Sequence, residues 1–270
     1  MSPGVSREIS ADTVRRHYEV MSLPYRLFWG EHLHHGLFLT GCESPRQAQV
    51  RLIEFCSDLV KIRPGAKVLD VGCGYGTTAI YLANNFRCTV DGLTLSPKQA
   101  RIARTKIARA GVGDRVRVGI GDAEQLHFNG QYDVIWMMES SEHFEDKAGF
   151  IHKTAQLLRE HGKFVIAAWT AADAHPLVKE LARLTVCPGF QTAEDYARQL
   201  CRAGLDIITI SDLSQKVLPS WEISYRRATR VRLLWRLMPA EIQSFLCAIP
   251  LMIEAYRRAL MSYNVMIGEK

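Results

Sequence analysis

The chain has 270 residues, of which 47% are hydrophobic and 23% charged, and its formal net charge is +6. This composition excludes a disordered chain, and the modest positive charge permits an anionic partner without requiring nucleic acid. The seven scattered cysteines form no C-x-x-C pair, which excludes a disulfide framework and a zinc ribbon and predicts a reducing, cytoplasmic location. We expect no signal peptide and no membrane span, because no apolar segment of the required kind occurs.

Apolar side chains at helical spacing predict helices over 11–21 and 46–61, and Pro64-Gly65 ends the second helix. Short apolar strands then alternate with helices. Strands are predicted within 66–71, 88–95, 115–122, 131–140 and 163–170, and helices over 77–86, 96–111 and 147–162, the last with Gly162 as C-cap. This alternation predicts an α/β fold with a doubly wound, Rossmann-like, mostly parallel sheet.

After residue 170 the pattern changes. Helices are predicted over 175–188 and 192–203, a late strand within 206–214, and a mostly helical, arginine-rich tail over 221–262. We therefore divide the chain into an N-terminal helical lid, a ligand-binding core, and a C-terminal helical cap with late strands that complete the sheet. These parts span residues 1–62, 63–172 and 173–270.

A glycine-rich turn at residues 70–76 (DVGCGYG) joins the first core strand to its helix. Such a turn lets the backbone approach a ligand closely and leaves helix N–H groups free to bind it. The spacing is G-x-G-x-G, and Thr77 stands where a dinucleotide fingerprint has its third glycine. This favours a nucleoside without phosphates, and Asp70 at the end of the strand suits a cationic group such as an amine.

The ends of the next two strands offer partners for such a nucleoside. Many sheets of this kind present an acidic residue to the ribose at the end of the second strand, but Thr94 occupies that position here. We expect Thr94 and Gln99 to bind the ribose, with Asp91 as the alternative. In Gly121-Asp122-Ala123, at the end of the third strand, Asp122 is placed to accept a hydrogen bond from the adenine amino group.

Four segments, VLDVGCGYG, GLTLSPKQ, GDAE and MESSEH, resemble those of class I S-adenosylmethionine-dependent methyltransferases. GLTLSPKQ is similar to two branches, the cyclopropane fatty acid and mycolic acid synthases and the gamma-tocopherol methyltransferases with their N-methyltransferase relatives. WGEHLHHGLF and WMMESSEHFEDK favour the second branch. The resemblance implies S-adenosylmethionine as cofactor, held by Asp70, Gly72, Gly74, Gly76, Thr94, Leu95, Gln99, Gly121, Asp122, Ala123, Met138 and Glu139.

Two ionisable residues, Glu142 and His143, follow the fourth strand, close to where the resemblance implies that the methyl group lies. Because histidine is the natural base near neutral pH, we predict that they, with His35 of the lid, act as base or orient the acceptor. The alternative is that Glu142 and His143 only cap the next helix or hold the methionine end of the cofactor. The cyclopropane synthases carry a cysteine of a bicarbonate site in the lid, and His34-His35 stands there in this chain, which argues against cyclopropanation.

Aromatic side chains before and after the core are candidates for the lining of the substrate pocket. Their faces would also attract the positively charged sulfonium of the cofactor. Core packing is the alternative for each of them. The predicted acceptor contacts are Tyr18, Tyr25, Trp29, His34 and Trp221. No metal site is expected, because the spacing of His32, His34 and His35 suits one metal ion poorly.

The arginine-rich segment 224–238 reads as a basic amphipathic helix. It suits contact with an anionic membrane surface, and the alternative is a cap helix with a solvated basic face. The leading functional hypothesis is methylation of a small, fairly hydrophobic molecule (an isoprenoid, prenylated aromatic, indole or amine) at carbon, nitrogen or oxygen. The alternatives are a lipid acyl-chain cyclopropane synthase and a non-catalytic nucleoside-binding regulator. A nucleic-acid substrate is not expected, because no N-P-P-[YF] loop follows the fourth strand.

Overall fold

Seven strands form one sheet in the computed structural model, which describes residues 9–126, 130–172, 174–230 and 232–270. The strands are β1 (Lys67–Val71), β2 (Thr89–Thr94), β3 (Val116–Ile120), β4 (Tyr132–Met138), β5 (Leu158–Thr170), β6 (Asp206–Asp212) and β7 (Ser262–Glu269). Their order is β3-β2-β1-β4-β5-β7-β6, and only β7 pairs antiparallel, with β5 and with β6. The predicted doubly wound, mostly parallel sheet is therefore confirmed.

Helices cover both faces of this sheet. They are α1 (Ala11–Phe28), α2 (Pro45–Val60), α3 (Thr77–Phe86), α4 (Pro97–Ala110), α5 (Lys147–Ala155), α6 (Pro176–Leu184), α7 (Ala193–Arg202), α8 (Ser214–Thr229) and α9 (Ala240–Arg257). Along β4, Val134 and Trp136 pack with α2, α3, α4 and α9, whereas Ile135 and Met137 pack with α5 and α7. This alternation fixes the strand register, because a slip of one residue would exchange the two cores.

The sheet topology decides where a ligand can bind. β1 lies between β2 and β4 and runs parallel to both, so the loops that follow these three strands meet at one edge. Ser96 begins α4 by accepting a hydrogen bond from the Gln99 N–H, as the Ser-Pro sequence predicts. The cap brings Gln99 to the same edge as the end of β2.

The helix predicted over 147–162 is wrong in its second half. α5 ends at Ala155, and Leu158 already pairs with Tyr132 of β4 as the first residue of β5. His161 has a φ of +59°, which a helix does not accommodate, and Gly162 accepts a hydrogen bond from the Lys270 N–H instead of capping a helix. Tertiary strand pairing therefore overrides the local helical pattern.

The tail differs from its prediction at its start, because α8 begins at Ser214. Residues 262–269, which lie after the predicted helical tail except for Ser262, form β7. The run Tyr263–Gly268 is buried because β7 lies between β5 and β6. Residues 173–270 thus contribute two strands to the sheet as well as the cap helices.

The basic segment 224–238 is not one helix. α8 ends at Thr229 and a 3-10 turn spans Arg232–Leu237. Residue 231 and the side chains of 232–234 lie outside the described part, as do the first eight residues of the predicted lid. No helix in the described ranges combines the length and the apolar character needed to cross a bilayer. All seven cysteines are unpaired, and the cytoplasmic location stays a prediction.

Candidate active site

A cavity of about 620 Å³ opens at the carboxyl ends of β1, β2 and β4. This volume lies within the range of small-molecule sites. The predicted cofactor residues that line it are Asp70, Gly72, Gly74, Thr94, Leu95, Gln99, Gly121, Asp122, Ala123, Met138 and Glu139. Residues predicted from four separate segments therefore meet at one place, which we call the cofactor cavity.

The glycine loop is held against β2 by its backbone. The N–H groups of Gly72 and Cys73 both donate to the Leu93 carbonyl oxygen, at 2.9 and 2.8 Å. Gly72 has a φ of +83°, and a Cβ there would lie 2.4 Å from the Cβ of Ser140. Only glycine allows the loop to pass this close to the residue that follows β4.

The third glycine of the loop has a different role from the one predicted. Gly76 does not line the cofactor cavity. It begins α3 with a φ of +67°, and a Cβ there would lie 3.1 Å from the Cβ of Ala103 in α4. Gly76 therefore serves the turn and the packing of α3 on α4.

The Asp70 carboxyl is buried without a partner for one of its oxygens. The side chain is 3% exposed, and Oδ2 has no hydrogen-bond partner among the described residues. Burial raises the pKa of Asp70 to about 7. A buried carboxyl without a partner is costly unless a ligand supplies one, and a cationic ligand group would favour its ionised form.

The predicted ribose partners contact each other. The Thr94 hydroxyl donates to Oε1 of Gln99 at 2.7 Å, and both side chains are buried at the cavity wall. Asp91, the alternative, lies elsewhere, because its carboxylate accepts from Tyr132 Oη and pairs with Lys67 Nζ. The geometry thus favours Thr94 and Gln99 over Asp91.

A second, much smaller cavity of about 30 Å³ lies beside the first. Its walls are mainly aromatic, and we call it the aromatic chamber; it is lined by Tyr18, Tyr25, Trp29, Leu33, Glu139, Glu142, His143, Trp169, Trp221 and Phe245. Four of these residues, Tyr18, Leu33, Glu139 and His143, also line the cofactor cavity. They form a partition between the two cavities.

Glu139 is the most heavily bonded residue of the partition. Its carboxylate accepts from the His35 backbone N–H at 2.6 Å, His35 Nδ1 at 2.8 Å and Tyr263 Oη at 2.8 Å. Charge and hydrogen bonding from His35 hold the pKa of Glu139 below its usual value although burial opposes this. Glu139 has a φ of +53°, a strained conformation that often marks functional sites.

His35 does not reach either cavity, which corrects its predicted catalytic role. The side chain is fully buried, and its ring contacts those of Trp29, Trp221 and Tyr263 at centroid distances of 5.1 to 5.2 Å. Its backbone N–H and its ring Nδ1 both donate to the Glu139 carboxylate. His35 is therefore a positioning residue for the Glu139 carboxylate.

His143 faces the partition with both ring nitrogens engaged. Nδ1 lies 3.0 Å from the Val186 carbonyl oxygen, and Nε2 lies 2.7 Å from Tyr18 Oη. Burial lowers the pKa of His143 to about 4, so the ring is neutral near pH 7.

Glu142 lies on the chamber side only. One carboxyl oxygen accepts from the Trp169 backbone N–H at 2.7 Å. Burial raises the pKa of Glu142 to about 8. Its contact with the β5 backbone supports a structural contribution, and no hydrogen bond joins Glu142 to His143 among the described residues.

Of the five predicted acceptor contacts, Tyr18 lines both cavities, and the other four fall into two groups. Tyr25, Trp29 and Trp221 line the aromatic chamber, whereas His34 lines the cofactor cavity. His34 Nδ1 donates to the His35 carbonyl oxygen at 2.8 Å, and burial lowers its pKa. No group of three potential metal ligands converges within the described ranges.

Sequence reasoning missed three residues of the chamber wall, Leu33, Trp169 and Phe245. It also missed Tyr263, which donates a hydrogen bond to Glu139 without lining the chamber. Trp169 lies near the carboxyl end of β5, where this class of sheet binds ligands, so that rule predicts a residue of its kind. Phe245 in α9 and Tyr263 in β7 lie far along the chain, and no local motif marks them. Only the folded arrangement brings these two residues to the site.

The sequence profile of the family "Mycolic acid cyclopropane synthetase" matches residues 6–218. The probable chloroplastic tocopherol O-methyltransferase of Oryza sativa subsp. japonica is 30% identical over 94% of this chain and 76% of that protein. The 27-O-demethylrifamycin SV methyltransferase of Amycolatopsis mediterranei is 32% identical over 76% of this chain and 77% of that protein. Mycolic acid cyclopropane synthase CmaA1 complexed with SAH and CTAB has a TM-score of 0.86 at 20% identity, covering 96% of this chain and 98% of that one.

These similarities confirm the class I methyltransferase fold, the transferase activity and S-adenosylmethionine as cofactor. They include both branches that the sequence motifs resemble. The individual contacts to cofactor and acceptor stay predictions that rest on the geometry of the two cavities.

Proposed function

This chain belongs to the mycolic acid cyclopropane synthetase family of S-adenosylmethionine-dependent methyltransferases, and we propose that it methylates a small, largely apolar acceptor at the partition between its two cavities. The shared lining of the cavities by Tyr18, Leu33, Glu139 and His143 carries this proposal. A methyl group held on one side and an acceptor held on the other would meet at these four side chains.

The residues of the cofactor cavity fit S-adenosylmethionine, which supplies a methyl group on a positively charged sulfur. Asp70 offers an unpartnered buried carboxyl oxygen for a cationic group. Thr94 and Gln99 would exchange their mutual hydrogen bond for ribose hydroxyls, and Gly72 gives the backbone close access. Asp122 lines the same cavity just after β3, and its carboxylate would accept a hydrogen bond from the adenine amino group.

The aromatic chamber supports an apolar acceptor. Its walls carry the indoles of Trp29, Trp169 and Trp221, whose faces favour apolar rings and cationic groups. At about 30 Å³ it has room for one or two water molecules. An acceptor the size of a prenylated aromatic therefore needs the chamber to widen, and α1, which contributes Tyr18 and Tyr25, is the element that we expect to move.

The names of two relatives support an acceptor class. The rice relative is named as a probable tocopherol O-methyltransferase and the Amycolatopsis relative as a 27-O-demethylrifamycin SV methyltransferase. We propose a prenylated phenol or a similar apolar hydroxyl-bearing ring for this chain. Cyclopropanation of an acyl chain stays the alternative, and the histidines at 34–35 in place of a lid cysteine argue against it.

A methyl-transfer screen tests this function. The purified protein is incubated with radiolabelled S-adenosylmethionine and, separately, prenylated phenols, indoles, amines, olefinic isoprenoids and phospholipid vesicles, and products are identified by mass spectrometry. We expect a labelled methyl product from the phenols. A methylene-bridged lipid as the sole product would establish the cyclopropane alternative. Tight binding of S-adenosylmethionine without methyl transfer to any of these compounds would support the alternative of a non-catalytic nucleoside-binding regulator.

We also propose peripheral contact with an anionic membrane, through which such an acceptor would arrive. Leu23 and Leu27 on α1 and Leu237 on the 3-10 turn are 60%, 64% and 83% exposed. Arg227 near the C-terminal end of α8, the helix that precedes this turn, links α8 to α1, because its guanidinium donates to the Phe28 carbonyl oxygen at 2.9 Å. Exposed leucines beside arginines suit an interfacial surface.

Vesicle co-sedimentation tests this contact without any acceptor. The wild-type protein is expected to bind phosphatidylglycerol-containing vesicles and not pure phosphatidylcholine vesicles. The double variant Leu23→Ser/Leu27→Ser should bind several-fold more weakly. The matched control is Ile208→Ser/Ile210→Ser on β6, where the side chains are 45% and 44% exposed. Equal loss in both double variants, or no binding by the wild type, contradicts the proposal.

A further inference from the structure

We infer that Tyr18 is a catalytic residue that takes the proton of a hydroxyl acceptor and passes its own proton to His143. The inference rests on the proposed function and deepens it, because it requires an acceptor atom that loses a proton. Tyr18 was predicted from the sequence only as an acceptor contact, and the inference adds a role in proton transfer. The geometry of two hydrogen bonds carries it.

The direction of these hydrogen bonds follows from their partners. A carbonyl oxygen only accepts, so His143 Nδ1 bears the hydrogen that bonds Val186 O at 3.0 Å. In the neutral ring Nε2 is then unprotonated. It can only accept, and the Tyr18 hydroxyl at 2.7 Å must be the donor. The backbone of residue 186 thus holds His143 in the tautomer that can receive a proton from Tyr18.

The Tyr18 oxygen lies where an acceptor would need it. Tyr18 lines both cavities, as does His143, so the pair stands in the partition where methyl donor and acceptor meet. With its hydrogen directed to His143, the phenolic oxygen presents its lone pairs to a second donor. A hydroxyl group entering the partition is such a donor.

The transfer balances without a further reactant. The acceptor oxygen forms a bond to the methyl carbon as the carbon–sulfur bond breaks, and the electron pair of that bond stays on sulfur. As the new bond forms, the acceptor hydroxyl becomes strongly acidic. Its proton moves to Tyr18 Oη, and the Tyr18 proton moves to His143 Nε2. The ionised Glu139 carboxylate, which lines the same partition, offsets the positive charge on the ring until the proton leaves to water.

The competing explanation is that the Tyr18–His143 bond only fastens α1 to the end of β4. A mechanical fastener would affect every acceptor alike and would also weaken cofactor binding. A proton relay affects only acceptors whose proton is hard to remove. The two explanations therefore differ in how the rate depends on the acidity of the acceptor.

The test uses a series of 4-alkylphenols in which ring fluorination lowers the pKa of the hydroxyl toward neutrality with little change of shape. Single-turnover rates and S-adenosylmethionine affinity are measured for the wild type and Tyr18→Phe. We expect about a hundredfold or greater loss for the unfluorinated phenol, typical of removed acid–base catalysis, shrinking to under about tenfold for the most acidic one. Cofactor affinity should stay within about threefold, since Asp70 and Gln99 are untouched.

Tyr25→Phe is the matched control, because Tyr25 is also an α1 tyrosine in the chamber whose hydroxyl bonds a buried histidine, His17, at 3.0 Å. Its loss of rate should be the same for every phenol. The double variant Tyr18→Phe/His143→Ala should be no slower than the slower single variant, because the two residues act as one unit. An equal loss across the series for Tyr18→Phe overturns the relay, and so does transfer by the wild type only to acceptors that carry no removable proton.

A readout independent of turnover is the ¹⁵N spectrum of the histidine-labelled, ligand-free protein. In the wild type we expect His143 as the neutral tautomer protonated at Nδ1, with Nε2 shifted by the Tyr18 hydrogen bond. Tyr18→Phe should remove the shift at Nε2 and keep the tautomer, whereas Tyr25→Phe should change only His17. A His143 ring protonated at Nε2 in the wild type contradicts the relay. If the wild type failed to bind S-adenosylmethionine, the proposed function itself would be refuted.

Discussion

The two cavities of this protein are built in different ways. The cofactor cavity takes its walls mainly from the ends of β1, β2, β3 and β4, within one continuous part of the chain. The aromatic chamber collects side chains from α1, β5, α8 and α9, which lie up to 227 positions apart between Tyr18 and Phe245. The first is set by local backbone conformation, and the second depends on long-range packing. Substitutions in the two cavities should therefore have different effects on cofactor affinity, acceptor turnover and stability.

The largest effect is expected at the glycine loop. Gly72→Ala places a Cβ 2.4 Å from that of Ser140 at a φ of +83°, so the ends of β1 and β4 must separate. We expect S-adenosylmethionine affinity to fall more than about a hundredfold, as strain and clash displace the backbone that approaches the ligand. Calorimetry measures the affinity, and circular dichroism checks that the fold persists.

The control for this variant is Gly111→Ala, in the turn after α4. Gly111 has a φ of +66°, and a Cβ there would meet nothing within 4 Å. Gly111→Ala introduces the same kind of backbone strain but no steric clash. The free energy of unfolding should therefore fall by about 1 kcal/mol, while cofactor affinity stays unchanged. Equal affinities for Gly72→Ala and the wild type would contradict the assignment of the loop.

Asp70→Asn should weaken S-adenosylmethionine binding by about a hundredfold at pH 8, the scale of a hydrogen bond to a charged group. The same substitution should stabilise the ligand-free protein at that pH. Burial raises the pKa of Asp70 from 3.8 to about 7, so the unfolded chain gives up this proton more readily than the folded one. Folding stability contributed by the protonated group is complete below about pH 4 and is lost as the pH rises toward 7.

The pH dependence separates Asp70 from the cofactor's own titration. The cofactor's own ionisable groups titrate identically in assays with either protein, so their effect cancels in a ratio. The quantity to measure is therefore the ratio of the wild-type affinity to the Asp70→Asn affinity for S-adenosylmethionine. This ratio should rise with pH through about 7 as Asp70 ionises. Thermal unfolding should show the variant more stable at pH 8 and indistinguishable from the wild type below about pH 4. A ratio that does not change with pH would exclude Asp70 as the partner of a cation.

How far the sequence predicts each region follows from this difference. Asp70, Gly72, Thr94 and Asp122 could be placed because each lies within two residues of the end of a strand with a recognisable pattern. Gln99 could be placed because it lies in the first turn of the helix that follows β2. The chamber could be predicted only in part, since aromatic residues on α1 suit a core as well as a site. The φ of Glu139, the tautomer of His143 and the burial of His35 depend on neighbours that no local pattern records. The start of β5 was mispredicted for the same reason. Its first residues have a helical sequence pattern, and only their pairing with β4 makes them a strand.

A smaller effect is expected at the ribose partners. Thr94→Ala/Gln99→Ala removes two hydrogen-bonding side chains from the cofactor cavity, and at about 1 kcal/mol each the affinity for S-adenosylmethionine should fall roughly tenfold to thirtyfold. Asp91→Ala is the control, because Asp91 contacts Lys67 and Tyr132 instead of the cavity. If Asp91→Ala proved the more damaging change, the assignment of the ribose site would have to be exchanged.

The smallest effect is expected from Trp169→Phe in the chamber. The indole N–H donates one long hydrogen bond, to Glu139 at 3.3 Å, and the Trp169 backbone N–H that binds Glu142 at 2.7 Å survives the change. Phenylalanine also keeps an aromatic wall. We expect the KM for a phenol acceptor to change within about threefold, the scale of one weak hydrogen bond, with cofactor affinity unaltered.

Tyr263→Phe provides the matched comparison, because it removes a 2.8 Å hydrogen bond from the same carboxylate. Leaving a buried, ionised Glu139 with one partner fewer costs about 1 to 3 kcal/mol, so its effect on thermal stability and on acceptor turnover should exceed that of Trp169→Phe. Because Glu139 lines both cavities, its displacement should also reach the cofactor. If Trp169→Phe instead lowered cofactor affinity as much as Tyr263→Phe, the two cavities would be coupled through β5 and not through Glu139.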